Sequence, residues 1–468
     1  MTSSAGPAQS APETSLFARG HRAVVLVFAG GVLLYAMNLY FTAALLPSVV
    51  SDIGGGDLYA WVATAFLIAA VNASLLVSRA IGRWGLRGAY LIAFLTFAAG
   101  VAVSALTPSM PVLVVGRVVQ GLGGGLLAGL GYAVIRSTLP QPLWVKAAGL
   151  ISAMWGIGAL VGPSVGGVFA QFHAWRGAFA VLVVAALVLA ALAARHLPPR
   201  QGAPARGGGF PLASLTLLTV AAAAFSVGST VERGWRTAAC LVGGAALLGV
   251  FLVVESRARA TVLPRLAFRR GNSLKWIYLT MAALCSGVIA ETYIPLFGQG
   301  LGGLSPFLAG FLGASISLGW VTAQLVSVRF DPRRARRAIR IAPLGLTLAL
   351  LAFAVLLVEG ASPGRVLAWA GVLVLAGMAI GSAIPHLSVA ALGASDDEDE
   401  AAKAASALST TQLIAYAIAS ALTGVLVAVG DTLLESARIM AIGLAGITAL
   451  GLITTTMLGR VTARAQSS

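Results

Sequence analysis

The chain has 468 residues, of which 58% are hydrophobic and only 10% are charged, and its mean hydropathy is +0.92. A soluble domain has about 25% charged residues, so this composition excludes an ordinary soluble protein and indicates an integral membrane protein. The net charge of +16 is large enough for a nucleic-acid-binding protein, but the positions of the charges, described below, predict no nucleic-acid partner.

Stretches of about 20 apolar residues are long enough to cross the hydrocarbon core of a bilayer as helices. The sequence contains fourteen candidates, of which the seventh is short and rich in small residues. In chain order they lie at 23–49, 58–78, 88–107, 111–135, 146–170, 176–195, 213–230, 237–254, 274–298, 305–328, 340–358, 365–387, 404–429 and 436–458. The outer loops are very short, so we predict an all-α membrane protein without a separate extramembrane domain.

The basic residues are distributed unevenly over the loops. If the N-terminus is cytoplasmic, 25 of the 31 Lys and Arg residues fall in predicted cytoplasmic segments, five fall in outer loops and Arg117 falls within a span. An excess of Lys and Arg in the inner loops is the orientation signal of multispanning membrane proteins. We therefore predict that both termini are cytoplasmic, which agrees with an even number of spans.

The connections divide the chain into five predicted segments. Residues 1–22 form a disordered cytoplasmic tail, 23–195 a six-helix bundle, 196–273 a linker with two additional spans, 274–458 a second six-helix bundle and 459–468 a cytoplasmic tail. The linker begins with a Pro-, Gly- and Arg-rich stretch, which is typical of a boundary between two halves.

The sequence contains little that an enzyme or an ATP-driven pump would need. It has no G-x-x-x-x-G-K-[ST] phosphate-binding loop and only three Lys residues. The four His and two Cys residues are scattered, so they predict neither a metal site nor a Ser–His–Asp set. We expect no enzymatic activity, no cofactor and a monomer surrounded by the lipid bilayer.

The fifth span, with the sequence GLISAMWGIGALVGPSVGG, contains glycines at four-residue intervals. This spacing makes a flat helix face that another helix can approach closely, and a proline in the helix permits a bend. The positions concerned are Gly149, Gly158, Gly162, Pro163, Gly166 and Gly167. The alternative is ordinary small-residue packing in a chain that has 56 glycines.

The fourth span carries a charged residue within an apolar stretch. Its segment GRVVQGLGGG places Arg117 and Gln120 one helical turn apart near the middle of the helix, which favours an inward-facing role. The alternative is that the Arg117 side chain extends to the membrane interface.

These motifs together resemble the major facilitator superfamily. The glycine pattern resembles the antiporter motif of that family, GRVVQGLGGG resembles its R-x-x-Q-G-x-G-x-G pattern, and WRGAF also looks familial. With the two additional spans, the chain resembles the fourteen-span drug:proton antiporter branch over residues 23–458. The resemblance implies two six-helix bundles with an inserted helix pair, and proton-coupled export of small amphipathic compounds across a bacterial plasma membrane.

Two departures from the family pattern concern acidic residues. The branch carries an acid in the first span, whereas the matching segment MNLYFTAALLP has Asn38 at that position. The loop after the second span resembles G-x-L-x-D-R-x-G-R-R, but Gly82 replaces its Asp. In the family this loop Asp pairs near the start of the eleventh core helix and helps to lock the cytoplasmic side.

An acidic run before the thirteenth span suggests an inverted form of this lock. We hypothesise that basic residues of the loop face the acidic run in the closed state, because acids are favoured at a helix N-terminus. The residues are Arg79, Arg83, Arg87, Asp396, Asp397, Glu398, Asp399 and Glu400, with Asp331 in the equivalent loop of the second half. The alternative is a solvated acidic loop.

Glu291 is the one acidic residue that falls inside a predicted span. A charged side chain at the bilayer centre costs about 2.5–3.5 kcal/mol on translocon-based scales. Burial favours the protonated form of a carboxyl group, and Pro295 cannot donate a helical hydrogen bond to the Glu291 carbonyl. We therefore predict that Glu291 and Arg117 couple transport to protons. The alternatives are that Glu291 reaches the outer headgroups, or that it pairs directly with a cationic substrate.

Polar residues of other spans are candidates for a substrate cavity, although such residues serve more often in interhelical packing. They are Asn38, Asn72, Gln120, Trp155, Gln299, Gln324, His386 and Gln412. Because Asn38 is not acidic, an exporter or facilitator of one metabolite or lipid is an alternative to multidrug export. A transporter-derived membrane sensor is a third hypothesis, which the lack of a predicted extramembrane domain disfavours.

Overall fold

The computed structural model describes residues 16–18, 21–140, 143–199, 211–232, 234–258, 265–268, 271–392 and 398–467. Within these ranges the chain folds into helices joined by short turns, and no β-strand is present. This is the all-α fold that the composition predicts. Most of the predicted N-terminal tail lies outside the described residues, and so do residues 200–210, 233, 259–264 and 269–270 of the predicted linker.

The described part of the chain contains sixteen α-helices, because two predicted spans are each broken into two. The helices are α1 (Arg22–Ile53), α2 (Tyr59–Ser74), α3 (Val77–Ala105), α4 (Met110–Thr138), α5 (Trp144–Gln171), α6 (Trp175–His196), α7 (Leu212–Gly228), α8 (Trp235–Arg257), α9 (Leu274–Val288), α10 (Ile294–Gly300), α11 (Pro306–Gly313), α12 (Ser315–Ser327), α13 (Pro332–Leu356), α14 (Pro363–Leu392), α15 (Glu398–Val429) and α16 (Leu433–Ser467). A 3₁₀ turn at Ile289–Thr292 joins α9 to α10.

Thirteen segments of the described chain are long and apolar enough to cross a membrane. The predicted count of fourteen is therefore not confirmed. The difference is α7, whose 17 residues lie at the lower limit of about 17–25 residues for a spanning helix. The sequence singles out the same segment as short.

The turn between α2 and the membrane-spanning part of α3 contains a backbone conformation that favours glycine. Gly85 has φ +70°, and the helix is broken there. A residue with a side chain adopts this left-handed conformation only at a cost in free energy. The backbone conformation therefore explains why Gly85, the second glycine of the GRWGLR segment, is a glycine.

Helices α1–α6 and α9–α16 form two groups with matching internal contacts. In the first group α3 packs on α4 and α6, and in the second α13 packs on α14 and α16. Arg176 at the start of α6 donates to the Thr107 carbonyl after α3 (3.2 Å), and Arg438 in α16 donates to the Leu357 carbonyl after α13 (2.8 Å). The two groups are therefore built on one plan.

The two groups meet along two seams. Helix α5 packs on α11 at one seam, and α2 packs on α15 at the other. Helix α7 contacts both α2 and α15, so the additional helix pair lies against the second seam. Arg117 of the first group and Glu291 of the second, described next, line one cavity.

Candidate functional site

Arg117 lies on α4 and is buried, with 1% of its surface exposed. Its Nε donates to the carbonyl of Val62 (3.0 Å), and its Nη1 donates to Oδ1 of Asn38 (3.1 Å) and to Oε1 of Gln120 (2.7 Å). Its Cζ lies 4.2 Å from the ring centre of Phe66. The guanidinium group therefore lies inside the helix bundle and not at the membrane interface.

Asn38 occupies the position to which the family pattern gives an acid. Its Oδ1 accepts from Nη1 of Arg117 and from Nε2 of Gln120 (2.6 Å). The Thr42 hydroxyl also donates to it at 3.5 Å, so one neutral amide oxygen receives three donors without cancelling the positive charge of Arg117. The buried Nδ2 of Asn38 has no hydrogen-bond partner among the described residues.

Glu291 lies in the 3₁₀ turn between α9 and α10 and is 5% exposed. Its Oε1 accepts from the backbone N–H of Ser317 (2.7 Å), and its Oε2 accepts from the Ser317 hydroxyl (3.1 Å). Ser317 belongs to the first turn of α12, where backbone N–H groups lack helical acceptors and the helix dipole favours negative charge. The break between α11 and α12 therefore provides a site for the carboxylate.

A narrow cavity of about 30 Å³ has Arg117 of the first group and Glu291 of the second in its wall. Tyr40, Thr42 and Tyr416 also line this central cavity. The volume is enough for about two water molecules, whereas sites for drug-sized ligands measure roughly 300–1,000 Å³. The structure therefore brings the two charged residues to one cavity in a conformation too closed to hold a substrate.

A pair of tyrosines links the two groups next to this cavity. The rings of Tyr59 in α2 and Tyr293 stack with their centres 5.0 Å apart, and the Tyr59 hydroxyl donates to the carbonyl of Thr292 (3.4 Å). A second cavity of about 590 Å³, towards the predicted outer face, is lined by both tyrosines and by Asp57 and Glu232. Successive turns of the same helices line the two cavities, so the tyrosine pair lies at their boundary.

The glycines of α5 lie where two backbones approach closely. A Cβ atom on Gly158 would lie 2.7 Å from Cβ of Ala36, and one on Gly162 would lie 2.8 Å from the carbonyl oxygen of Met37. A Cβ atom on Gly166 would lie 2.8 Å from the carbonyl oxygen of Phe41. This face of α5 packs on α1.

The other face of α5 packs on the second helix group. A Cβ atom on Gly167 would lie 2.9 Å from Cα of Phe307, and one on Gly310 would lie 2.5 Å from the carbonyl oxygen of Pro163. Gly149 has no such neighbour within 4 Å and lies outside both contacts. The predicted glycine motif of α5 therefore contributes to two different interfaces, one with α1 and one with α11. Gly149 belongs to neither interface.

Three of the other predicted cavity residues contact side chains of their own helix or of a neighbouring helix. Asn72 donates to Thr219 of α7 (3.0 Å), which ties α2 to the additional helix pair. Trp155 makes an edge-to-face contact with Tyr35, with ring centres 5.4 Å apart. Gln324 accepts from Nε1 of Trp320 (2.8 Å) on its own helix.

The remaining three lie in α10, α14 and α15. The Nε2 atoms of Gln299 and His386 are buried and have no hydrogen-bond partner within the described ranges. His386 stacks on Phe330, with ring centres 5.9 Å apart, and Gln412 donates to Sδ of Met281 (3.6 Å). The structure does not bring these six polar candidates into the wall of the central cavity.

The predicted cytoplasmic lock involves residues that the structure describes only in part. Arg83 is exposed, and its Cζ lies 5.5 Å from the ring centre of Trp84. Asp331 accepts from the backbone N–H groups of Arg333 (2.8 Å) and Arg334 (2.9 Å) and so caps its own helix, α13. Asp396 and Asp397, and the side chains of 398–400, lie outside the described residues, so the lock stays a prediction.

Glu255 corrects the prediction that Glu291 is the one carboxylate inside a span. Helix α8 continues to Arg257, beyond its predicted end. Glu255 is therefore inside this helix, with no exposed surface, and it accepts a hydrogen bond from the Ser214 hydroxyl of α7. It lies on the additional helix pair and not in the wall of the central cavity.

Sequence reasoning missed Ser317, Tyr40 and Tyr416. Ser317 lies in the segment GASIS, whose small and polar residues interrupt an apolar span, and this interruption could have indicated a helix break. Tyr40 and Tyr416 carry no such signal, because a tyrosine in a span is equally suited to ordinary packing.

The chain belongs to the Major Facilitator Superfamily, whose family model matches residues 28–420. It is 43% identical over 413 residues to a Mycobacterium tuberculosis protein named as a probable multidrug-efflux transporter, covering 86% of this chain and 87% of that protein. It is 26% identical over 344 residues to the multidrug efflux pump SdrM of Staphylococcus aureus, covering 72% and 74% of the two chains. Family membership makes the chain a membrane transporter.

Solved structures share the fold at low sequence identity. The crystal structure of a D-xylose–proton symporter matches with a TM-score of 0.66 and 16% identity, over 93% of this chain and 97% of that one. A POT family transporter in complex with a peptide conjugate matches with a TM-score of 0.67 and 15% identity, over 96% and 98% of the two chains. These likenesses establish the fold of this chain.

Proposed function

We propose that the protein is a secondary active transporter that exports small amphipathic compounds in exchange for protons, by alternating access. Its relatives are named as a probable multidrug-efflux transporter in M. tuberculosis and as a multidrug efflux pump in S. aureus, which supports export. The main support for proton exchange is the position of Glu291. Its carboxyl group is buried, lies on a broken span and lines the same cavity as Arg117.

Proton binding at Glu291 changes its contact with α12. The charged carboxylate accepts from both donors of Ser317, and a proton on one oxygen weakens that attachment. The adjacent Thr292 accepts from Tyr59 of the other helix group. A shift of the 3₁₀ turn therefore reaches the contact between the two groups, which is the contact that alternating access must open.

The proposed topology is that of the fourteen-span antiporter branch. Helix α7, although short, then also crosses the membrane and brings the number of spans to fourteen. Both termini are cytoplasmic, and the two bundles that move are formed by residues 23–195 and 274–458. The asymmetry of basic residues supports the orientation, and the matched Arg176 and Arg438 contacts support the two bundles. We further propose that the protein acts as a monomer in a bacterial plasma membrane.

The contacts between the bundles correspond to an outwardly closed state. Gly167 packs on Phe307 and Tyr59 stacks on Tyr293 at the predicted outer face. The same conformation leaves room only for water in the central cavity. The acidic run at 396–400 and the basic loop at 79–87 would close the cytoplasmic face in the opposite state.

A second candidate is an exporter or facilitator of one metabolite or lipid. Asn38 favours it, because the site has one carboxylate where multidrug members have an additional acid. A dedicated substrate needs fewer charged groups if its shape and hydrogen bonds provide the selectivity.

Internal pH of proteoliposomes tests the proposal. We expect several structurally unrelated amphipathic compounds to cause a pH change that protein-free liposomes do not show. Transport of a radiolabelled compound without any pH change would exclude proton exchange. A pH change with a single compound of the panel would favour the dedicated exporter, and no transport of any compound would contradict both.

A further inference from the structure

The guanidinium group of Arg117 is only partly occupied by the protein. Its Nε and Nη1 donate to Val62, Asn38 and Gln120, which accounts for three of its five N–H donors. Its Nη2 donates to no acceptor in the described chain. Arg117 also lines the central cavity, so two charge-assisted donors are left for a group that enters this cavity.

The positive charge of Arg117 contacts the face of the Phe66 ring but has no negatively charged partner in the described chain. Within the described ranges, no carboxylate lies within 4.0 Å of the guanidinium group, and its side-chain acceptors are the neutral amides of Asn38 and Gln120. A buried cation without a counter-ion is costly, and a ligand that brings a negative charge removes part of that cost. The replacement of an acid by Asn38 thus leaves one negative charge to be supplied from outside.

The part of the cavity wall that comes from the second helix group carries the opposite charge. Glu291 receives two hydrogen bonds, whereas a carboxylate has about four acceptor positions. It can therefore also receive a donor or a cationic group of a ligand.

We propose that the preferred substrates are amphipathic zwitterions, whose acidic group binds Nη2 of Arg117 while the cationic group faces Glu291. This inference rests on the proposed export function and specifies its substrate class. Binding takes place in a more open conformation of the same walls, because the present cavity holds only about two water molecules.

A matched pair of dyes tests the role of the acidic group. Rhodamine B has a free carboxylate and is a zwitterion, whereas its ethyl ester is a cation of nearly the same shape. We expect wild-type proteoliposomes to transport rhodamine B about tenfold more efficiently than the ester, and the purified protein to bind it about tenfold more tightly, a factor equivalent to about 1.4 kcal/mol.

Two variants place an additional carboxylate at different sites. Asn38→Asp gives Arg117 an internal counter-ion, so we expect it to abolish the preference for rhodamine B. Asn72→Asp adds the same charge beside α7, where Asn72 contacts Thr219, and we expect it to keep the preference. If Asn38→Asp does not fold, the two dissociation constants of the wild type decide the question alone.

The outcomes separate this inference from the proposed function. Equal or better transport and binding of the ester by the wild type would overturn the zwitterion preference while leaving export intact. An unchanged preference in a folded Asn38→Asp variant would also overturn it. If the wild type transports neither dye and no compound of the proteoliposome panel, the proposed function itself is overturned.

Discussion

The carboxylate of Glu291 is held by a single residue of a neighbouring helix. Ser317 provides both donors, one from its backbone and one from its side chain. The backbone donor is fixed by the fold, because it belongs to the first turn of α12, but the hydroxyl donor can be removed by substitution. The contributions of the backbone donor and the hydroxyl donor to the stability of the charged Glu291 carboxylate can therefore be separated.

Ser317→Ala removes the hydroxyl donor and leaves the backbone N–H in place. The charged carboxylate then loses one of its two hydrogen bonds, so a proton is retained more readily. We expect the pH at which transport is half-maximal to move upward. The measurement is the initial rate of substrate uptake by proteoliposomes as a function of pH.

Ser317→Thr is the matched control, since it keeps a hydroxyl group at the same position. We expect its pH profile to follow that of the wild type. A profile of Ser317→Ala that also coincides with the wild type would mean that the hydroxyl contact does not influence proton exchange.

At the scale of single elements, α5 combines two close contacts that differ in partner. Gly158, Gly162 and Gly166 let it approach α1 within the first bundle, and Gly167 lets it approach α11 of the second bundle. The glycine spacing predicts such faces. It does not identify the partner helices, because a flat surface fits many neighbours.

Gly162→Ala should destabilise the first bundle. Its new Cβ atom would lie 2.8 Å from the Met37 carbonyl oxygen, and overpacking of this kind costs about 1–3 kcal/mol. Gly149→Ala is the control, because nothing lies within 4 Å of the position that its Cβ would occupy. We expect a lower thermal midpoint in detergent for Gly162→Ala only. Equal midpoints would contradict the proposed close packing.

Helix α13 depends on its N-cap in a pH-dependent way. The backbone N–H of Arg334, together with that of Arg333, holds the pKa of Asp331 below its usual value. The cap therefore adds stability above the unfolded pKa of about 3.9, and this stability is lost as the pH falls through the lower folded pKa.

Asp331→Ala is accordingly expected to lower the thermal midpoint at neutral pH, while its difference from the wild type shrinks at acidic pH. Asp331→Asn should recover most of the loss at neutral pH, because an amide oxygen also caps a helix. Glu359→Ala removes an exposed acid from another loop and serves as the control for charge alone. A difference that stays constant down to about pH 2 would contradict a contribution from the ionised cap.

The broken helices show what a sequence can and cannot predict about an element. Pro295 indicates an interruption near Glu291, because proline lacks the N–H that a continuous helix needs. No proline marks the break at Ala314 between α11 and α12, so the partner of Glu291 was not predicted. A long-range contact such as that between Glu291 and Ser317 depends on how the break between α9 and α10 packs against the break between α11 and α12.

For the whole molecule, hydropathy and the family motifs were sufficient to predict the all-α fold. They singled out Arg117, Asn38 and Gln120 as candidates but did not predict that the three side chains hydrogen-bond to one another. They were not sufficient for the other polar residues. Asn72, for example, binds Thr219 of α7 instead of lining the cavity, because apolar helices provide many equivalent positions for a hydrogen-bonding side chain. The burial of Glu255 was missed since it depends on where α7 and α8 end.

We propose that proton movement is coupled to transport through Glu291. Glu255→Gln provides the matched control, because it neutralises a buried carboxyl group on the additional helix pair and leaves the central cavity unchanged. Both variants can be studied in proteoliposomes that carry a pH-sensitive dye inside.

The most direct measurement is substrate-induced proton movement and substrate exchange in Glu291→Gln, side by side with the wild type and Glu255→Gln. We expect Glu291→Gln to lose proton movement and pH-driven transport but still to exchange labelled for unlabelled substrate, while Glu255→Gln behaves like the wild type. Proton movement of wild-type size in Glu291→Gln would contradict coupling through Glu291.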